Sequence, residues 1–112
     1  LDLSENQFTG TIPTQIGTLI DLEVLAIHQR EGVSNIGGPL PALDDFPHLK
    51  EVNLEYNALT GSIPSNFLAR IADKSNEISI SLGFNRLQGA IPGSLNAFDK
   101  LILNLEGNQI TR

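Results

Sequence analysis

His28 and His48 are the only imidazoles in this 112-residue chain, and it contains no cysteine. A metal centre or a histidine acid–base pair needs further ligands at short, regular spacing, and neither imidazole has them. The missing thiols exclude disulfides, thiolate metal sites and cysteine nucleophiles. Thirteen carboxylates are present, yet none falls in a recognisable acid/base arrangement, and Asp44-Asp45 reads as a solvated turn. No glycine-rich phosphate loop follows a strand pattern, and no Gly-x-Ser-x-Gly elbow occurs. The expectation is a protein that is not an enzyme, with no metal and no cofactor.

Charge narrows the partners. Lys and Arg number seven against thirteen acids, a net charge of −6. Binding to a phosphate backbone rests on Lys and Arg, so nucleic acid is not an expected partner. No apolar run approaches the roughly 18 residues a membrane span requires, so this segment should make no membrane contact. Leu1 already lies inside an apolar pattern, as expected of a piece of a longer chain.

The apolar residues are unusual in kind. Seventeen Leu and twelve Ile stand against five Phe, one Tyr and no Trp or Met, which predicts a core of similar aliphatic layers rather than large aromatics. Comparing the chain with itself explains why. Asn6-Gln7-Phe8-Thr9-Gly10-Thr11-Ile12-Pro13 returns as Asn57-Ala58-Leu59-Thr60-Gly61-Ser62-Ile63-Pro64, and again as Asn85-Arg86-Leu87-Gln88-Gly89-Ala90-Ile91-Pro92. A weaker copy begins at Ser34, and Asn108-Gln109-Ile110 starts a fifth. The Asn-equivalent positions are therefore 6, 34, 57, 85 and 108. They define one domain over residues 1–112, with about four full repeats and a truncated fifth.

Each repeat carries two local signals. Upstream of the Asn position stand the pairs Leu1/Leu3, Leu25/Ile27, Val52/Leu54, Ile80/Leu82 and Leu103/Leu105, an alternation that predicts a short strand. After Ile-Pro come rows such as Ile16, Leu19, Leu22 and Leu95, Phe98, Leu101, which suit a helical or 3₁₀ turn. Two units are enlarged. Residues 28–35 read as a polar loop bulging from a rim. Residues 65–76 read as a true helix, with Ser65 as N-cap and Phe67, Leu68, Ile71 and Ala72 as its apolar stripe.

This pattern resembles the plant-type leucine-rich repeat, whose consensus runs Leu-x-x-Leu-x-Leu-x-x-Asn-x-Leu-x-Gly-x-Ile-Pro. The resemblance covers essentially the whole chain. It implies an α/β fold: a right-handed solenoid or horseshoe, with a parallel concave β-sheet and short convex helices, 3₁₀ turns or extra β-bridges. It also implies a recognition module of a receptor-like or secreted protein, at the cell surface or outside the cell. The implied partner is a protein or peptide, with a glycan as a further option. An inhibitor of a cell-wall-degrading glycosidase, similar to polygalacturonase-inhibiting proteins, is the alternative, and a structural spacer of a receptor-like kinase is another.

Stacked coils assign roles by position. The carboxamides of Asn6, Asn57, Asn85 and Asn108 should form an internal ladder to main-chain groups, broken at Ser34. Strand residues between the leucines should face outward as the concave floor. The candidates there are Glu5, His28, Gln29, Glu51, Asn53, Glu55, Tyr56, Ser81, Phe84, Asn104 and Glu106. Tyr56 and Phe84 share a column and are candidate anchors. The concave rows include five acids, Asp2 among them, and neither Lys nor Arg, which favours a basic partner.

Overall fold

A computed structural model describes residues 1–2, 10–29 and 36–111. Period-two alternation buries every second strand residue, so a lone strand cannot cover its own leucines and must stack on copies of itself. The chain does this twice per turn. One sheet runs in the order β2 (Val24–Ala26), β4 (Glu51–Asn53), β6 (Glu77–Ser81) and β8 (Lys100–Asn104). Asp2 adds a parallel bridge to Ala26 at the β2 edge. The other sheet orders β1 (Gly10–Thr11), β3 (Ile36–Pro39), β5 (Ala58–Gly61), β7 (Arg86–Ala90) and β9 (Gln109–Thr111). Every pairing is parallel. The result is a parallel-sheet solenoid, and its first sheet is the concave one.

Between the two sheets lies the core. Leu25, Leu54 and Leu82 from the first strands meet Leu59 and Leu87 from the second, all without solvent exposure. The aliphatic layers are present, but they are not the whole core. Phe46 and Phe67 are among the largest fully buried side chains, and Phe98 is buried too. All three come from the convex connections rather than from the strands.

The bend between the sheets is held by carboxamides. Asn85 Nδ2 donates to Leu54 O (2.9 Å), Leu82 O (3.0 Å) and Gly83 O (3.2 Å), while its Oδ1 accepts from Leu59 N–H (3.1 Å). Asn108 repeats the arrangement one coil on, donating to Leu82 O and Leu105 O and accepting from Leu87 N–H. Asn57 donates to Ile27 O at 2.7 Å and to Leu54 O at 3.1 Å. Its buried Oδ1 has no partner among the described residues. By analogy its donor would be Ile36 N–H, two residues beyond Ser34, where the enlarged unit interrupts the repeat. Asn6 and Ser34 lie outside the described residues.

On the convex side, 3₁₀ turns span Thr14–Thr18 and Gly93–Ala97, each following a proline. The helix expected over residues 65–76 does not form; residues 65–70 are a run of turns. Leu68 has φ of 61°, which breaks a right-handed helix. Its N–H donates to Ala42 O (2.9 Å), and Ala72 N–H donates to Pro47 O (3.0 Å). These amides hydrogen-bond to the preceding coil instead of closing a helix. Phe67, Leu68 and Ile71 are nonetheless buried while Ala72 is exposed, so three of the four residues of the apolar stripe serve packing without the helix. Asp44, in a convex turn, accepts from Asn66 Nδ2 at 3.0 Å.

Glycine matters where the second sheet turns. Gly38 has φ of 79°, and a Cβ there would fall 2.6 Å from Thr11 Cγ2 in the neighbouring coil. Only a residue without a side chain fits both demands.

Candidate binding surface

Strand register places the outward residues of the first sheet in columns. Val24, Glu51, Ser79 and Ile102 are successive partners, as are Ala26, Asn53, Ser81 and Asn104. Past the strand ends, Ile27 N–H donates to Asn53 O, Leu54 N–H to Ser81 O and Leu82 N–H to Asn104 O, each at 2.9 Å. The columns therefore continue as His28, Glu55, Gly83, Glu106, and then Gln29, Tyr56, Phe84, Gly107.

Glu51 and Glu106 are exposed, and His28, Asn53, Glu55, Tyr56, Ser81 and Asn104 are half-buried. Gln29 departs from expectation. It is 3% exposed, so it does not reach the concave surface. Its N–H donates to Glu55 O at 3.0 Å, and its Nε2 is buried with no partner among the described residues. The enlarged unit begins here, and the side chain is enclosed where its column neighbours stay open. Glu5 and loop residues 30–35 lie outside the described residues. His48 is exposed on the approach to β4, away from the concave columns. Among the described residues no three His, Asp or Glu side chains are grouped to hold a metal ion.

The last column carries an aromatic pair. The rings of Tyr56 and Phe84 are stacked with centroids 4.6 Å apart and planes 4° from parallel. This distance matches the coil repeat of about 4.8 Å, so the solenoid itself imposes the stack. Both residues have left-handed φ, 58° and 57°, a conformation that costs a bulky residue energy. Gly107 occupies the same place in the next coil at φ of 75° without that cost, and a Cβ there would fall 2.6 Å from the Phe84 ring. The ring thus lies across Gly107, yet Phe84 remains 38% exposed.

Beside the rings, two carboxylates are set by one repeated local device. Asn53 Oδ1 accepts from Glu55 N–H (3.1 Å), and Asn104 Oδ1 accepts from Glu106 N–H (3.0 Å). Sequence reasoning placed these asparagines among surface contacts and missed their part in shaping the strand exits. The recurrence of Asn-x-Glu at 53–55 and 104–106 was the available signal. None of Glu51, Glu55 and Glu106 is ion-paired among the described residues.

At the other end of the sheet, Glu23 Oε1 and Lys50 Nζ are 2.8 Å apart, bordering a groove of about 330 Å³ that His48 and Asp73 also line. The hydrogen bond from Lys50 holds the Glu23 carboxyl below its ordinary value; the lysine charge adds to this, and His48 contributes less. Because the pKa is lowered on folding, the stabilisation is present above the unfolded value and is lost as pH falls through the folded one. Both side chains are more than half exposed, so salt should screen the pair. In an NMR titration the Glu23 carboxyl carbon should show a midpoint below that of a free glutamate, and Lys50→Ala should return it to the ordinary range. An unchanged midpoint in that variant would show that the lysine is not the cause.

Comparison with known proteins agrees with this architecture. The Leucine Rich Repeat family pattern matches residues 1–19 and 48–69. Receptor-like protein 35 of Arabidopsis thaliana is 34% identical over 112 residues, which cover 96% of this chain and 11% of that protein. The chain thus spans about a ninth of that relative's length. Among solved structures, a plant ice-binding protein superposes with a TM-score of 0.82 at 30% identity, covering 98% of this chain and 33% of that one. The leucine-rich-repeat ectodomain of the receptor kinase SOBIR1 from Arabidopsis thaliana superposes with a TM-score of 0.71 at 26% identity, covering 98% and 56%.

Proposed function

We propose that this chain, a solenoid of plant-type leucine-rich repeats, is a recognition module that binds a protein or peptide on its concave sheet, outside the cell. One observation carries the reading. A parallel sheet exposes, in register, an aromatic pair held in a costly backbone conformation beside carboxylates that form no ion pair among the described residues. Left-handed aromatics persist where surrounding structure over-determines them, and such strain gathers at functional sites. Flat rings in a rigid setting lose little entropy on binding, which makes them effective anchors. The likeness to receptor-like protein 35 and to a receptor-kinase ectodomain supports the same class of role. No step of catalysis is needed to account for any of these residues.

The test uses the immobilised chain and plant apoplastic fluid, with retained species identified by mass spectrometry. The Tyr56→Ala/Phe84→Ala variant should keep its circular dichroism spectrum and lose at least tenfold in retention of a partner that the unaltered chain holds. If the variant unfolds, the rings are core and the surface is misassigned. If it retains the partner equally, binding does not use this column.

A second reading has its own observation. The likeness to a plant ice-binding protein has a TM-score of 0.82, and the second sheet of this chain carries exposed Thr11, Thr60 and Thr111, with exposed Ser62 just past β5. Binding of ice would use that second, convex-side sheet and not the concave one. Thermal hysteresis of the purified chain, abolished by Thr60→Lys and unaffected by Tyr56→Ala, would favour this reading over the first. Freezing behaviour equal to that of an inert protein of the same size would exclude it.

A further inference from the structure

We infer that the coil carrying β2 and β3 binds one internal water molecule at its bend, accepting from Gln29 Nε2 and donating to Asn57 Oδ1. These are the two buried side-chain polar atoms without a partner among the described residues. Gln29 and Asn57 are each 3% exposed, so bulk solvent does not serve them. An unpaired polar group is costly in the interior, and native proteins pair such groups with other protein groups or with ordered water. One atom is a donor and the other an acceptor, the combination that a single water joins. Neither group is charged, so the pair does not select an ion. A cation would be repelled by the Gln29 N–H, and an anion by the Asn57 oxygen.

Neighbouring hydrogen bonds bring the two side chains together. Glu55 O accepts from Gln29 N–H at 3.0 Å and from Asn57 Nδ2 at 3.4 Å. Asn57 Nδ2 also reaches Ile27 O, two residues before Gln29, at 2.7 Å. The rest of the ladder shows which way the Asn57 oxygen faces. Asn85 Oδ1 and Asn108 Oδ1 each accept from an amide of the preceding coil, Leu59 N–H and Leu87 N–H. With its Nδ2 on Ile27 O in the same manner, Asn57 turns its Oδ1 toward the coil to which Gln29 belongs. Backbone conformation explains why the Gln29 carboxamide is available there. Its column neighbours Tyr56, Phe84 and Gly107 are all left-handed, whereas Gln29 is not. The two rings reach the surface, and the glutamine is enclosed. In sequence, this coil carries Ser34 where the others carry asparagine, so its own ladder position brings no carboxamide. Gln29 supplies one from upstream but makes no direct bond to Asn57 Oδ1. A water spans the remaining distance and continues the ladder across the enlarged unit.

The test uses the full chain, labelled with ¹⁵N. In NOESY and ROESY spectra taken at the water resonance, the Gln29 side-chain amide protons should show cross-peaks of opposite sign, the mark of a long-lived water. Relaxation dispersion of water ¹⁷O gives an independent count of such waters. Gln29→Met keeps the volume and removes the donor, and it should lose one long-lived water while retaining its circular dichroism spectrum. Gln88→Met, on the exposed second sheet, should lose none. If Gln29→Met fails to fold, the cross-peaks of the unaltered chain decide alone. Missing cross-peaks, cross-peaks of equal sign, or an undiminished dispersion in a folded Gln29→Met would overturn the inference. So would contacts between the Gln29 and Asn57 carboxamides with none to water, since the two groups would then satisfy each other directly.

Discussion

Leu54→Ala should lower the free energy of unfolding by about 2–5 kcal/mol, the range for truncating a buried leucine. Leu54 has no solvent exposure, and it lies in a central coil with packed neighbours on both sides. Part of the loss is transfer free energy, and the rest is the cavity left behind, which depends on how far the surroundings can relax. Here they relax little. Leu54 O accepts from both Asn57 Nδ2 (3.1 Å) and Asn85 Nδ2 (2.9 Å), and its N–H donates to Ser81 O (2.9 Å). Three hydrogen bonds thus fix the backbone at the site of the cavity, and the strands on either side cannot approach without breaking the ladder. The upper part of the range is therefore expected in urea denaturation. A loss under about 1 kcal/mol would contradict its place in the buried row.

Asn85→Ala should also destabilise the fold, by a different route. The carboxamide satisfies Leu54 O, Leu82 O, Gly83 O and Leu59 N–H, and Asn85 itself is buried. Leu54 O, Leu82 O and Gly83 O each keep a second donor, from Asn57 Nδ2, Asn108 Nδ2 and Tyr56 N–H, so Leu59 N–H is the group left without a partner, and the expected loss is about 1–3 kcal/mol. Asn108→Ala should cost less, because Asn108 is only half-buried and water can replace its bonds. Asn57→Ala should also cost less, because its Oδ1 already lacks a partner among the described residues. The ordering 85 above 57 and 108, measured by urea denaturation, separates a ladder role from a generic effect of truncation. Amide exchange adds a local readout, since Leu59 N–H loses its acceptor in Asn85→Ala and should exchange far faster. Equal losses at the three positions would mean that the carboxamides act only as filler.

Coil order, strand register and the buried rows were legible from the residues alone. Each depends on translation: once one unit is aligned on the next, Leu54 must stack on Leu82 and Asn57 on Asn85. The same logic put Tyr56 and Phe84 in one column and aligned Glu55 with Gly83 and Glu106. It failed where units differ. Residues 65–76 have helical spacing, yet Leu68 turns left-handed because its N–H is drawn to Ala42 O, a competitor that only the preceding coil supplies. Gln29 shares the column of the exposed rings but is enclosed at the start of an enlarged unit. Neither outcome is written in local propensity.

Periodicity by itself determined that this chain coils, which side chains face inward, and which asparagines stand at each bend, because every one of these follows from a repeated local pattern. Only the tertiary structure decided that the aromatic rings stack 4.6 Å apart on Gly107, that Glu55 leans over the bare backbone of Gly83, and that one expected surface glutamine is buried. Those features arise from side chains of different coils competing for the same space, and a pattern read along one coil carries no information about that competition.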